Sequence, residues 1–149
     1  MTKYKNLKEE LEACNKDGYN IRYIKNPQEP VQIVAVSEYG RSIKFIKNPS
    51  EAVQLKACKQ DGWSIQHIKN PSEAVQIQAI NGDSYSISYI VNPSEEIQLL
   101  AVRQNGWSIQ YIENPSLKVQ FEALKQNGRS IKFIKDPEAL LKKYPALCI

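Results

Sequence analysis

Asn48-Pro49-Ser50-Glu51-Ala52-Val53-Gln54-Leu55-Lys56-Ala57-Cys58-Lys59-Gln60-Asp61-Gly62-Trp63-Ser64-Ile65-Gln66-His67-Ile68-Lys69 is one instance of a pattern that returns every 22 residues. Asn-Pro or Asp-Pro places Pro27, Pro49, Pro71, Pro93, Pro115 and Pro137 at that interval. Ala13, Ala35, Ala57, Ala79, Ala101 and Ala123 keep the same step, as do the isoleucines from Ile21 to Ile131 and from Ile24 to Ile134. A period in this range marks a stack of supersecondary units, none of which can cover its own apolar surface. The units run 26–47, 48–69, 70–91, 92–113 and 114–135, preceded by a cap unit over 4–25 that lacks Asn-Pro and followed by a truncated cap over 136–149. All of them belong to one repeat domain, 1–149.

Within the quoted unit the ends are read first. Asn48 suits an N-cap, Pro49 the first helical position, and Glu51 a capping box at N3; Gly62 suits the left-handed residue beyond the helix end. The expectation is a three-turn helix over about 49–60. Val53 and Ala57 lie on one side of it and Leu55 and Cys58 on another, so it needs covering on two sides, and the alanine row lets neighbouring backbones approach. For the remainder, the row Asn20, Ser42, Ser64, Ser86, Ser108, Ser130 contains N-capping types, and the Ile-x-x-Ile after it fits a short α- or 3₁₀-helix. The expected fold is all-α, an α-solenoid of 22-residue units. The alternative is an α/β solenoid resembling leucine-rich repeats, in which Trp63, Ile65 and His67 share one face of a short strand.

Units of the form Asn-Pro-Ser-Glu-Ala-Val-Gln, then Ala, then Lys-Gln-Asp/Asn-Gly-Trp-Ser-Ile-Gln-Tyr-Ile resemble the helical repeat family called domain of unknown function 4116, over nearly the whole chain. The resemblance implies a helical array, with no catalytic residues to carry over. It also implies a bacterial, mobile-element or viral setting, in which an inhibitor of a host defence enzyme is a natural role.

Departures from the period have internal controls. Gly82-Asp83-Ser84 stands where Gln60-Asp61-Gly62 stands one unit earlier, which predicts an altered turn. Pro30 occupies the place of Ala52 and Ala74, and a local distortion is expected from its missing N–H. Leu117-Lys118 replaces Glu-Ala, removing the capping-box carboxylate.

Composition narrows the chemistry. The chain has 149 residues, 42% hydrophobic and 24% charged, with net charge +4 and no apolar run of membrane-spanning length. Its start lacks the apolar core of a signal peptide, and a cytoplasmic protein without a membrane partner is expected. Cys14 and Cys58 share a repeat position two units apart, about 20 Å at helix packing distances, too far for a disulfide. With Cys148 near the end of the sequence they indicate a reducing compartment and no zinc site. The single histidine, His67, shares its row with Tyr23, Phe45, Tyr89, Tyr111 and Phe133 and is read as a packing substitute in a half-buried aromatic row. Glu29, Glu51, Glu73 and Glu95 are read as a capping row instead of paired catalytic acids. No catalytic residue, cofactor or metal is expected.

Two rows remain as candidate binding sites. Tyr19, Arg41, Trp63, Tyr85, Trp107 and Arg129 follow the turn and are of the types that dominate interface hot spots. They form either an interaction ridge or local packing against Val36, Cys58, Val102 and Leu124. The leading expectation is a noncatalytic scaffold that binds a protein through this ridge. The alternative is single-stranded RNA or DNA, held by Lys25, Lys47, Lys69 and Lys135 with Arg22, Lys44 and Lys132. Val91 and Glu113 interrupt that basic row, and a solvated face would also account for it.

Overall fold

A computed structural model describes residues 4–145; Cys148 and the last part of the expected C-terminal cap lie outside the described residues. Among the described residues, seven α-helices alternate with six 3₁₀-helices. The α-helices are α1 (Leu7–Lys16), α2 (Glu29–Glu38), α3 (Glu51–Gln60), α4 (Glu73–Gly82), α5 (Glu95–Gln104), α6 (Leu117–Gln126) and α7 (Pro137–Lys143). The 3₁₀-helices are η1 (Gly18–Tyr23), η2 (Gly40–Phe45), η3 (Gly62–His67), η4 (Ser84–Tyr89), η5 (Gly106–Tyr111) and η6 (Gly128–Phe133). The architecture is an all-helical α-solenoid of 22-residue units. No strand occurs among the described residues, so the short element is a 3₁₀-helix and the leucine-rich-repeat alternative has no support. The chain divides into two compact units, Met1–Ser86 and Ile87–Ile149.

In Met1–Ser86, α1 to α4 pack each on the next, and each of η1, η2 and η3 packs on the α-helix of the following repeat. Val31, Ala35 and Val36 of α2 are fully buried, as are Val53, Ala57 and Cys58 of α3 and Val75, Ala79 and Ile80 of α4. Ile21, Ile43 and Ile65 close the same core from the 3₁₀ side. Ile87–Ile149 repeats this arrangement with α5 on α6, around Leu99, Val102, Ile109 and Val119.

Three local readings are corrected. First, Asn48 is not the N-cap: it adopts φ 53°, in the left-handed region that asparagine tolerates, as do Asn26, Asn70, Asn92 and Asn114. The cap is Ser50, with Ser72, Ser94 and Ser116 in the same role, and Glu51 is the first helical residue, so no capping box forms. Pro49 lies in the loop, where its carbonyl accepts from Gln54 Nε2 at 2.9 Å; Gln32, Gln76, Gln98 and Gln120 make the same bond. At Asp136-Pro137 the expected pattern does occur, with Asp136 capping Ala139 and Pro137 opening α7.

Second, no described glycine has a positive φ. Gly62 opens η3, and Asp61 ends α3 in extended geometry. The glycine row is a close approach: a Cβ on Gly18, Gly40 or Gly62 would lie 2.2, 2.5 or 2.4 Å from the carbonyl oxygen of Ala35, Ala57 or Ala79 in the next repeat. The alanine row thus supplies the carbonyl that glycine admits. The serine row is likewise not a set of caps. Ser42, Ser64 and Ser86 are fully buried inside the 3₁₀-helices, their hydroxyls lying beneath Gly18, Gly40 and Gly62. Asn20, in the first repeat, instead donates to the Ala13 carbonyl at 2.9 Å.

Third, because the glycine's dihedrals are ordinary, its displacement at Gly82-Asp83-Ser84 leaves the turn unaltered: Asp83 has φ −158° and caps Tyr85 N–H at 2.8 Å as Asp61 caps Trp63. Pro30 causes no distortion either. With α2 starting at Glu29, it falls in the first turn, where an N–H has no intrahelical acceptor, and Gln32 N–H still reaches the Gln28 carbonyl at 3.1 Å.

Candidate functional site at the 3₁₀-helices

The 3₁₀ geometry decides which side chains stand together. At three residues per turn, positions i and i+3 eclipse. Tyr19 and Arg22 therefore form an outer pair on η1, repeated as Arg41 and Lys44 and as Trp63 and Gln66; beyond each helix a buried isoleucine, Ile24, Ile46 or Ile68, in extended geometry is followed by an exposed lysine, Lys25, Lys47 or Lys69. The candidate ridge and the candidate basic row are thus one surface in Met1–Ser86, a merger that a period of 3.6 conceals.

Every ridge residue except Arg41 is placed by the Asp or Asn two positions earlier. Asp17 accepts from Tyr19 N–H and Asp61 from Trp63 N–H, both at 2.9 Å; Asn105 and Asn127 accept from Trp107 and Arg129, both at 3.1 Å. The same carboxylates tie neighbouring repeats. Arg41 Nε donates to Asp61 Oδ2 and Trp63 Nε1 to Asp83 Oδ2, each at 2.6 Å. Tyr39, which replaces the capping residue in its repeat, stacks on Tyr19 with ring centroids 5.2 Å apart, beside a cavity of about 360 Å³ bounded by Arg41, Gln60 and Asp61. Tyr19, Trp63, Tyr85 and Trp107 are half-buried, whereas Arg41 and Arg129 are exposed. Much of the ridge is therefore engaged in joining repeats. The sequence signal for this is the Asp or Asn that stands before the first residue of every 3₁₀-helix except η2: Asp17, Asp61, Asp83, Asn105 and Asn127.

The more exposed rings are in the row read as packing. Tyr23, Phe45 and His67 end η1, η2 and η3; Tyr23 is 42% and Phe45 38% exposed, and His67 is also exposed. His67 is thus a surface residue, not a core substitute, because the flanking Ile65 and Ile68 already occupy the inward side. In Ile87–Ile149, Tyr111 is 46% exposed and Phe133 half-buried. Cations lie over these rings: Arg22 over Tyr23 at 4.6 Å, and Lys44 over Phe45 at 4.9 Å and over Tyr19 at 5.3 Å. Lys132 lies 4.0 Å from the Trp107 centroid and 4.8 Å from that of Phe133. Lys25, Lys47, Lys69 and Lys135 are exposed, and none forms an ion pair with a described residue.

Burial lowers the His67 pKa from its ordinary value, and the positive charges of Lys44 and Arg41 lower it further against the opposing pull of Asp61. The two described thiols are inert. Burial pushes Cys14 up to about 11, assisted by Glu10 and Asp17, and Cys58 up to about 12, assisted by Asp61. Among the described residues no cluster of His, Cys, Asp and Glu could hold a metal ion. The glutamate row joins repeats instead of capping: Glu29 accepts from Ser50 Oγ, Glu51 from Ser72 Oγ and Glu95 from Ser116 Oγ. Leu117 opens α6 without such a carboxylate, and the neighbouring Lys118 lies 3.8 Å from Glu95. No helix is long and apolar enough to cross a membrane among the described residues.

No protein-family model, no curated protein and no solved structure matches this chain.

Proposed function

We propose that the chain is a noncatalytic repeat scaffold that binds another macromolecule through the outer face of its 3₁₀-helices. The observation that carries this reading is the ladder of exposed rings at a fixed repeat position, each followed by an exposed lysine that has no acidic partner among the described residues, most continuous in η1 to η3. Packing does not require it: the core is closed by Ile21, Ile43 and Ile65 from the other side. The buried, unreactive thiols support work in a reducing cytoplasm.

A protein partner would use the half-buried rings of Trp63 and Trp107 as anchors with Arg41 and Arg129 at their flanks, and inhibition of a host enzyme, as the likeness to the repeat family implies, is one form of that role. The commitment of Trp63 Nε1 and Arg41 Nε to Asp83 and Asp61 weakens this form. The test is capture of partners from the source cells by immobilised wild-type chain and by a Lys44→Ala/Phe45→Ala variant whose helical circular dichroism is unchanged. Loss of a captured component supports the face; an identical captured set refutes it.

A further inference from the structure

Resting on that reading of the 3₁₀ face, we infer that its segment in Met1–Ser86 binds single-stranded nucleic acid, the rings of Tyr23, Phe45 and His67 stacking on bases and the neighbouring lysines meeting the phosphates. Three successive repeats each present one exposed ring at the last position of a 3₁₀-helix, followed two residues later by an exposed lysine, Lys25, Lys47 or Lys69. Arg22 and Lys44 add a second cation one residue before the ring in two of the three. A ring with flanking positive charge is the element that single-strand binding surfaces repeat, since every base has a π-face and every linkage a negative charge.

The charge on this face is not cancelled locally. Of the carboxylates that cap these 3₁₀-helices, Asp61 is paired with Arg41, while Asp17 and Asp83 accept from the Tyr19 and Tyr85 N–H groups and Asp83 also from the Trp63 indole; Lys25, Lys47 and Lys69 have no acidic partner among the described residues. Spacing selects the single strand. Packed helices place equivalent positions about 8–10 Å apart, whereas bases in a duplex strand are about 3.4 Å apart. Rings at the wider step can be used only if the bases are unstacked and splayed, which single strands allow.

The experiment titrates fluorescein-labelled dT20 and rU20 with the full chain, following anisotropy at 50 and 200 mM salt. If the five cations Arg22, Lys25, Lys44, Lys47 and Lys69 each neutralise one phosphate, a slope of about −0.7 per contact gives a total near −3.5 and roughly a 100-fold loss of affinity over that range. Phe45→Ala is expected to weaken binding by about tenfold through lost stacking, and Lys47→Ala/Lys69→Ala to reduce the slope by about 1.4. Polyglutamate is the control for charge alone and should compete poorly. Absence of binding at 50 mM salt overturns the inference, as does equal competition by polyglutamate or unchanged affinity in correctly folded Phe45→Ala and His67→Ala. If no oligonucleotide binds but a protein is captured and then lost in the Lys44→Ala/Phe45→Ala variant, the nucleic-acid assignment fails while the scaffold reading stands. If that variant loses neither oligonucleotide nor captured protein, both fail.

Discussion

Gly40→Ala and Gly128→Ala change the same repeat position and should have opposite effects. An alanine Cβ at position 40 would lie 2.5 Å from the Ala57 carbonyl oxygen, 2.6 Å from Ser64 Oγ and 2.9 Å from Gln60 Oε1. The first of these is backbone of the next repeat and moves only if the two repeats part. Overpacking of this kind costs about 3 kcal/mol, against a gain of about 0.4–1 kcal/mol from restricting the unfolded chain. The net is a loss of about 2 kcal/mol. At Gly128 no described atom lies within 4 Å of the added methyl, and the backbone is not left-handed, so only the gain remains. In urea unfolding followed by far-ultraviolet circular dichroism, with a slope of about 2 kcal/mol/M, Gly40→Ala should lower the midpoint by about 1 M. Gly128→Ala should leave it unchanged or raise it by up to about 0.5 M. Equal shifts for the two variants would refute the view that glycine is present to admit a neighbouring carbonyl.

Asp61→Ala removes both the acceptor for Trp63 N–H and the partner of Arg41, and should cost about 1–2 kcal/mol, read as a lowered thermal midpoint. Asp61→Asn keeps the cap, as Asn105 and Asn127 do, and should recover most of that loss. Asn48→Gly should be close to neutral and Asn48→Ala should cost about 1 kcal/mol in the same unfolding assay, since φ is 53°. Iodoacetamide at pH 8 should leave Cys14 and Cys58 unmodified in the native chain and label both in urea, as peptide mass spectrometry would report, because their thiols are buried and held protonated. His67 should titrate below its ordinary value in an NMR pH series, and Lys44→Ala should move its midpoint upward. Since the folded value is lowered, the stabilising contribution is fully present above the unfolded pKa and is lost as the pH falls from there through the lower folded pKa.

Period, helical class and the end of the longer helix were legible in the chain, because a 22-residue register shared by proline, alanine and isoleucine leaves few ways to cover apolar sides other than stacking like on like. At Asp136-Pro137 even the cap was legible. Elsewhere, equally good local chemistry had two outcomes: Asn48 could cap a helix or turn left-handed, Ser64 could cap or be buried, and Gly62 could supply a positive φ or an absent side chain. Sequence offers each residue a set of allowed local states, and the neighbouring repeat selects among them. The same holds for the candidate site. The ring types and cations could be read from the chain, but not that Trp63 leans on Asp83 while Phe45 and His67 stand outward. Exposure depends on contacts made 20 or so residues away in sequence, through packing that a single unit does not contain.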